Sequence, residues 1–338
     1  MKSLAELLSE LHKNDIRLWS EGDRLRFDAP KGALTPELRE ELRARKSELL
    51  AIFQPSPDDV ADTLQPMAHP GNPPLPFSLV EMHPGNRATP ALFLLHPVGG
   101  SVLCYRDLAQ HLGLEQPIYG LQARGLDGKD DPFVRLEEMA AYYLSLLQTV
   151  QPQGPYQLGG WSLGGSIAFE MAQQLYQQGQ DVHLLAMIDT FAPKHAYEPD
   201  EVELVANFAI SLGGVAGKPF SVPKAELRPL SSEEQQQHIF LRAKRQGILP
   251  PDFGADHIRH RLQVFKANGQ AIARYTPQPY PGHITLFCTK ESMKVRQDPS
   301  LGWDSVATGS LVRHEIPGDH HSIVRSQVLA DKLRSCLH

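Results

Sequence analysis

Residues 156–175 read YQLGGWSLGGSIAFEMAQQL. Apolar residues lead into Gly160-Trp161-Ser162-Leu163-Gly164, and a run with helical spacing follows. This is G-x-S-x-G in the setting that its chemistry requires: strand, sharp turn, helix. A serine at such a turn sits in a strained backbone conformation, with its hydroxyl pushed out beyond the sheet edge. The next backbone N–H then faces the place where an oxyanion would form. Gly160 and Gly164 flank the serine because a Cβ at either position would crowd the neighbouring strand and helix. A glycine-rich turn with an incidental serine shares the same five-residue pattern. The rest of the chain must therefore supply the serine's partners.

Working outward, strands are predicted at 91–95, 117–121, 156–160, 182–188, 283–288 and 310–316. Helices are expected from Ser101, over 136–150 and 166–178, and near 321–337. Alternating β and α units imply an α/β fold, a mainly parallel sheet covered on both faces. Ser162 then lies at the C-terminal edge of a central strand, where open α/β sheets place their sites. An oxyanion hole needs two donors, and the turn supplies only the N–H of Leu163. The second is expected from His96-Pro97-Val98-Gly99-Gly100, after an early strand. Pro97 has no N–H, so Val98 is the candidate. A phosphate loop would need a lysine at P-loop spacing, and none follows.

The partners of the serine are expected in the order acid, then histidine. Asp189 ends the strand LLAMID, and His320 lies in IPGDHHSIV, between the last strand and the last helix. The acid holds the imidazole's tautomer and charge, and the imidazole activates the hydroxyl. His321 is the rival base and Glu291, after ITLFC, the rival acid. Residues 193–281 are too long for one crossover helix and carry helical patterns at 202–212, 231–247 and 255–275. This stretch reads as a helical lid that excludes water and shapes a pocket. Asp256, His257 and His260 fall together in it, at a spacing that matches no common zinc motif, and read as a polar helix face.

The chain has 338 residues and a formal net charge of -6, which gives no basic footprint for nucleic acid. Cys104, Cys288 and Cys336 are far apart, without metal or redox spacing, and read as reduced residues of a cytoplasmic protein. The first helix is broken by charges, unlike a signal peptide, and no apolar run is long enough to span a membrane. No cofactor and no metal are expected.

The first 54 residues form a module of their own. Ser3 and Glu6 make a capping-box signature, and Leu4, Leu7, Leu8 and Leu11 share a helical face. IRLWSEGDRLRFD, residues 16–28, reads as a hairpin around Glu21-Gly22-Asp23 with one apolar and one arginine-rich face. Thr35-Pro36 starts a further helical stretch with a break near Ser47. An open hairpin edge accepts an added strand, and Arg17, Arg24 and Arg26 would favour an acidic one. Residues 55–76, PSPDDVADTLQPMAHPGNPPLP, read as a proline-rich, mobile tether.

Two resemblances follow from these residues. IRLWSEGDRLRFDAPKGALTPELREELRARKSELL closely resembles the TubC-type docking domain at the N-termini of nonribosomal peptide synthetase subunits. That resemblance implies a homodimeric αββαα domain whose hairpin takes up a short acidic motif from the C-terminus of an upstream subunit, with Arg17, Arg24 and Arg26 as its contacts. Residues 77–338, through LFLLHPVGGSVLCYRDLA, YQLGGWSLGGSIAFEMA, LLAMIDT and IPGDHHSIV, resemble the thioesterase domains of nonribosomal peptide and polyketide synthases. This implies an α/β-hydrolase fold with Ser162 as nucleophile, Asp189 as acid and His320 as base. It also implies a partner carrier protein that presents the acyl or peptidyl chain as a phosphopantetheine thioester, released by hydrolysis or cyclisation. A proofreading thioesterase that clears stalled short acyl groups and a catalytically idle docking scaffold are the alternatives. Gly302-Trp303-Asp304-Ser305 resembles a phosphopantetheine attachment site only superficially, lacks the helical context, and reads as part of the hydrolase domain.

Overall fold

The structure, a computed structural model, describes residues 7, 11, 16–21, 24–30, 33–53, 75–193, 199–249 and 253–337. The chain divides into two compact units, Met1–Leu64 and Gln65–His338.

The first unit contains an antiparallel pair, β1 (Arg17–Glu21) and β2 (Arg24–Asp28), and two helices, α1 (Pro36–Ala44) and α2 (Lys46–Phe53). Thr35 caps α1, its hydroxyl accepting from Leu38 N–H at 3.2 Å, with Pro36 at the first helical position. The break falls at Arg45, two residues before the expected one. Leu7 and Leu11 are helical, and they pack with Ile16, Leu38, Leu42 and Leu49 in one small core. Register puts Arg17 opposite Asp28, Trp19 opposite Arg26 and Glu21 opposite Arg24, so the three arginine positions share one pleat face and two of them have an acidic position across from them. The capping box at Ser3, the hairpin turn at Gly22-Asp23 and residues 55–74 of the proposed tether lie outside the described residues.

The second unit is a seven-stranded sheet in the order β3-β5-β4-β6-β7-β8-β9. Its strands are β3 (Leu79–His83), β4 (Leu92–Leu95), β5 (Ile118–Leu121), β6 (Tyr156–Trp161), β7 (Val182–Ile188), β8 (His283–Cys288) and β9 (Ser310–Glu315). Only the edge strand β3 runs antiparallel to its neighbour. Side chains alternate between two cores, as a pleated strand requires. Phe93, Leu95, Leu158, Leu185, Met187, Ile284 and Leu286 face the layer of α4 (Leu136–Val150) and α5 (Leu163–Gln177). Leu92, Leu94, Leu184, Ala186, Ile188 and Phe287 face the opposite layer. That second layer is built from α3 (Arg106–Leu112) and the last helix (Gln327–Arg334). The helix expected from Ser101 begins as a 3-10 turn at Leu103–Tyr105, and the one expected near 321–337 is split into a 3-10 turn at Ile323–Arg325 and the last helix.

Among the described residues four helices stand between β7 and β8: α6 (Glu201–Ala216), α7 (Lys224–Leu227), α8 (Ser232–Arg245) and α9 (Ala255–Arg274). Side-chain caps start α6 and α8. Asp200 accepts from Glu203 N–H at 2.7 Å, and Ser231 with Glu234 forms a capping box. This lid has its own core, including Phe208, Phe220, Ile239, Phe253, Leu262 and Phe265. Asp256 pairs with Arg259 at 2.8 Å, and His257 Nδ1 accepts from Gly254 N–H at 3.2 Å. After β8 comes a short helix, α10 (Lys290–Arg296), and the last helix is α11 (Gln327–Arg334). Among the described residues no helix is long and apolar enough to cross a membrane. Trp303 is fully buried, donates Nε1–H to Thr190 O at 2.8 Å and packs against Phe169, so the segment around it is part of this core.

Candidate active site

Ser162 joins β6 directly to α5 with φ 57° and ψ -124°. A non-glycine residue there costs roughly 1–3 kcal/mol and persists only when its surroundings over-determine it. Here they do. Ser162 N–H donates to Ile188 O at 2.9 Å, and its carbonyl accepts from Thr190 Oγ1 at 3.0 Å. The preceding peptide is held as well: Trp161 N–H donates to Tyr105 Oη at 2.7 Å, and that hydroxyl donates to Leu95 O at 2.6 Å. The glycines answer to contact rather than to conformation. A Cβ on Gly160 would collide with the Gly164 carbonyl carbon, and one on Gly164 with the Leu95 carbonyl oxygen. Leu163 is the first residue of α5, so its N–H has no partner within the helix.

Asp189 directly follows β7 with φ 45° and is fully buried. Its carboxylate is tethered at both oxygens. Oδ1 accepts from Thr289 N–H at 3.0 Å, and Oδ2 accepts from Ser292 Oγ at 2.6 Å. The same Oδ2 lies 2.8 Å from His320 Nδ1. A carboxylate oxygen accepts, so Nδ1 carries the proton and the opposite ring nitrogen is left to accept one from a substrate or hydroxyl. The loop that carries His320 is tied down at several points. Trp161 Nε1–H donates to His320 O at 2.8 Å, and Asp319 Oδ1 accepts from His321 N–H and Ser322 N–H at 2.8 and 2.9 Å. These backbone donors hold the Asp319 carboxyl below its ordinary range. Asp319 is thus a loop clasp.

The structure brings Ser162 and His320 to the wall of one cavity of about 670 Å³, under the lid. No hydrogen bond joins Ser162 to His320 among the described residues, an open geometry that catalytic hydrogen bonds commonly have before substrate binds. Of the two rivals, Glu291 is exposed on the first turn of α10, whereas Asp189 has the contact to His320. His321 also borders the cavity, edge-on to His320 at 5.4 Å between ring centroids. Burial, and then the neighbouring His320, push its pKa down.

Val98 lies on the same wall, and the peptide that carries its N–H is firmly oriented. The carbonyl of that peptide, Pro97 O, accepts from Gly100 N–H at 2.8 Å and lies 2.8 Å from His96 Nδ1. A carbonyl only accepts, so His96 Nδ1 holds the proton. His96 Nε2 then accepts from Tyr143 Oη at 2.7 Å. In a trans peptide N–H and C=O point in opposite directions, so fixing Pro97 O aims Val98 N–H the other way. The following peptide is held from the lid: the buried Asn268 donates Nδ2–H to Val98 O at 2.9 Å. His96 is fully buried, and burial lowers its pKa to about 4. Sequence reasoning missed His96, Tyr105, Asn268, Thr289 and Ser292. The one signal in the sequence is the histidine of HPVGG, a stretch whose reading turns on its backbone donor.

Residues 90–336 match the family described as thioesterase domain, and residues 4–54 match the TubC N-terminal docking domain. The chain is 46% identical over 247 residues to a dimodular nonribosomal peptide synthase of Bacillus subtilis (strain 168), covering 71% of this chain and 10% of that one. It is 31% identical over 220 residues to polyketide synthase PksR of the same organism, covering 62% and 8%. The chain thus spans a small part of these relatives. Among solved structures, holo-AB3403, a four-domain nonribosomal peptide synthetase bound to AMP and glycine, is 33% identical with a TM-score of 0.73, covering 82% of this chain and 21% of that one. The Vlm2 thioesterase domain bound with a dodecadepsipeptide is 26% identical with a TM-score of 0.57, covering 76% and 97%.

Proposed function

Because this chain belongs to the thioesterase-domain family and carries a TubC N-terminal docking domain, we propose that it releases the acyl or peptidyl chain of a synthetase or synthase to which its docking domain recruits it in trans. The observation that carries this reading is the buried Asp189 carboxylate 2.8 Å from His320, on the cavity that Ser162 enters from a strained turn. In the proposed reaction an upstream carrier protein delivers the chain as a phosphopantetheine thioester. His320 takes the proton of Ser162, whose oxygen attacks the thioester carbonyl. The N–H groups of Val98 and Leu163 hold the oxyanion, each worth about 3 kcal/mol of transition-state stabilisation. The thiol leaves with the proton from His320, and an acyl-Ser162 ester remains. Water, or a hydroxyl or amine of the chain itself, then attacks the ester, with His320 again as base. Asp189 stays ionised and steadies the imidazolium. None of these steps calls on a cofactor.

Incubation of the full chain with an acyl-carrier thioester is expected to give a mass increase of one acyl group on the peptide containing Ser162, and none in Ser162→Ala. An unmodified Ser162 with intact docking would leave a scaffold role standing. Recruitment is tested separately. The acidic C-terminal tail of an upstream subunit is expected to bind the N-terminal unit with an affinity of order micromolar, about 8 kcal/mol, falling as salt rises. Arg17→Glu, Arg24→Glu and Arg26→Glu are expected to weaken that binding. Normal acylation with no tail binding would favour a proofreading thioesterase, whose chemistry is the same but which needs no fixed station.

A further inference from the structure

Resting on the reading that Ser162 takes up an acyl chain in the cavity under the lid, we infer that Arg261 selects chains carrying a carboxylate, held in an otherwise apolar chamber. The lining explains why. Leu204, Phe208, Leu212, Val215, Phe265 and Ile272 line the lid's side of the cavity. Among the described residues the lining has no aspartate, glutamate or lysine, and Arg261 is its one permanent charge.

The lid's other half-buried cations, Lys266 and Arg242, are each paired with a carboxylate, and Lys218, Arg228, Lys244 and Arg245, which have no ion pair among the described residues, are exposed to water. Arg259 meets Asp256 at 2.8 Å, Lys266 meets Glu201 at 2.6 Å, Lys224 meets Glu203 at 2.7 Å and Arg242 meets Glu226 at 2.6 Å. Arg261 has no ion pair and no hydrogen bond among the described residues. Its one recorded partner is the ring of Phe253, whose centroid lies 5.2 Å from the guanidinium carbon. No hydrogen bond among the described residues takes up the guanidinium's N–H groups, so its fork of donors is free for a ligand. Burial disfavours the charged form and lowers the pKa of Arg261, but an arginine keeps its proton at any ordinary pH. A half-buried cation with an idle fork of donors, bordering a substrate chamber, is a costly arrangement unless a ligand completes it. The group that fits a planar fork two bonds at a time is a carboxylate. A phosphate would fit as well, and the phosphopantetheine arm carries one. The carboxylate is favoured because Arg261 borders the chamber that Ser162 and His320 also border, where the acyl portion resides.

The test compares two thioesters on N-acetylcysteamine, which has no phosphate. Their straight acyl groups have equal length and end in a methyl or a carboxylate. The full-length chain is expected to favour the carboxylate by about tenfold or more in kcat/KM, the effect of one charge-assisted hydrogen bond. In Arg261→Met the carboxylate substrate is expected to slow and the methyl substrate to speed up, since an unpaired charge has been removed from an apolar wall. A misfolded variant would lose both rates together and could not produce that crossing. Arg261→Lys keeps charge without the fork and is expected to retain a reduced preference. Independently, the dicarboxylic acid product is expected to raise the melting temperature of the wild-type chain and not of Arg261→Met. A wild-type preference for the methyl substrate, or one ratio shared by wild type and Arg261→Met, overturns the inference while turnover itself upholds the parent reading. Loss in Arg261→Met of an advantage seen only with the phosphopantetheine thioester assigns the arginine to the phosphate and also overturns it. Failure to turn over either substrate removes both.

Discussion

Lowering the pH should destabilise the hydrolase unit, and His96 should carry a large part of the loss. It is fully buried, and its two ring nitrogens are committed to Pro97 O and the Tyr143 hydroxyl at 2.8 and 2.7 Å. Burial lowers its pKa from 6.5 to about 4. Between those values the unfolded chain binds a proton that the folded chain refuses, so stability rises with pH across the window and is lost as pH falls through it. Evaluating that proton uptake between about pH 7.5 and about pH 5 gives a loss of about 2 kcal/mol from this histidine. Urea unfolding followed by the fluorescence of the buried Trp161 and Trp303 measures the drop at the two pH values. In His96→Asn, whose amide reaches the position of Nδ1 and does not titrate, the drop should shrink by about 2 kcal/mol. Equal drops in wild type and variant would refute the reasoning, whatever the variant's stability at neutral pH. The same residue has a kinetic readout, because it orients the peptide that carries Val98 N–H. That donor acts on the developing oxyanion, so His96→Leu should lower kcat by about tenfold to hundredfold with little change in KM. His96→Asn, which keeps a donor for Pro97 O, should recover most of the loss. A normal kcat in His96→Leu would show that the turn holds Val98 without it.

Ser292→Ala removes the 2.6 Å hydrogen bond to Asp189 Oδ2 and leaves that oxygen held by His320 alone. A hydrogen bond to a charged group is worth about 1.5–3 kcal/mol, so kcat/KM with a simple thioester should fall about tenfold, and Ser292→Thr should restore it. An unchanged rate in Ser292→Ala would mean that Thr289 N–H alone positions the carboxylate. Gly164→Ala places a methyl group on the Leu95 carbonyl oxygen, a backbone atom that cannot move without disturbing β4. The variant should fail to yield soluble folded protein, or lose several degrees in melting temperature at roughly 3 kcal/mol or more. A wild-type melting curve would show that the turn is looser than its geometry.

The parts of this fold that were legible in the sequence are those whose cause lies within a few residues of the effect. β4, β6 and β7 read as nearly unbroken apolar runs because helices cover both faces of the sheet, so almost every position is buried. The turn at Ser162 was legible because the steric demand of its tight geometry falls on glycines two positions away. β3 was not legible: only Leu79 of its five residues is fully buried, and an edge strand with one covered position leaves little pattern. Nor was α10, a seven-residue helix whose one buried residue is Ser292, although its cap and that serine hold Asp189.

The choice between His320 and His321 shows the other limit. Both lie in one loop and both border the cavity, and what separates them is a carboxylate 131 positions earlier in the chain. The residues that bear the proposed chemistry are conspicuous because few types can do it. Those that hold them in place, Tyr105, Asn268, Thr289 and Ser292, are ordinary polar residues whose importance comes only from what they meet. A chain that kept Ser162, Asp189 and His320 but lost the Ser292 hydroxyl and the His96 imidazole would read as the same enzyme by its motifs. It would be slower by about tenfold or more for each loss, and the two losses should combine nearly additively, because the two sets of hydrogen bonds share no partner.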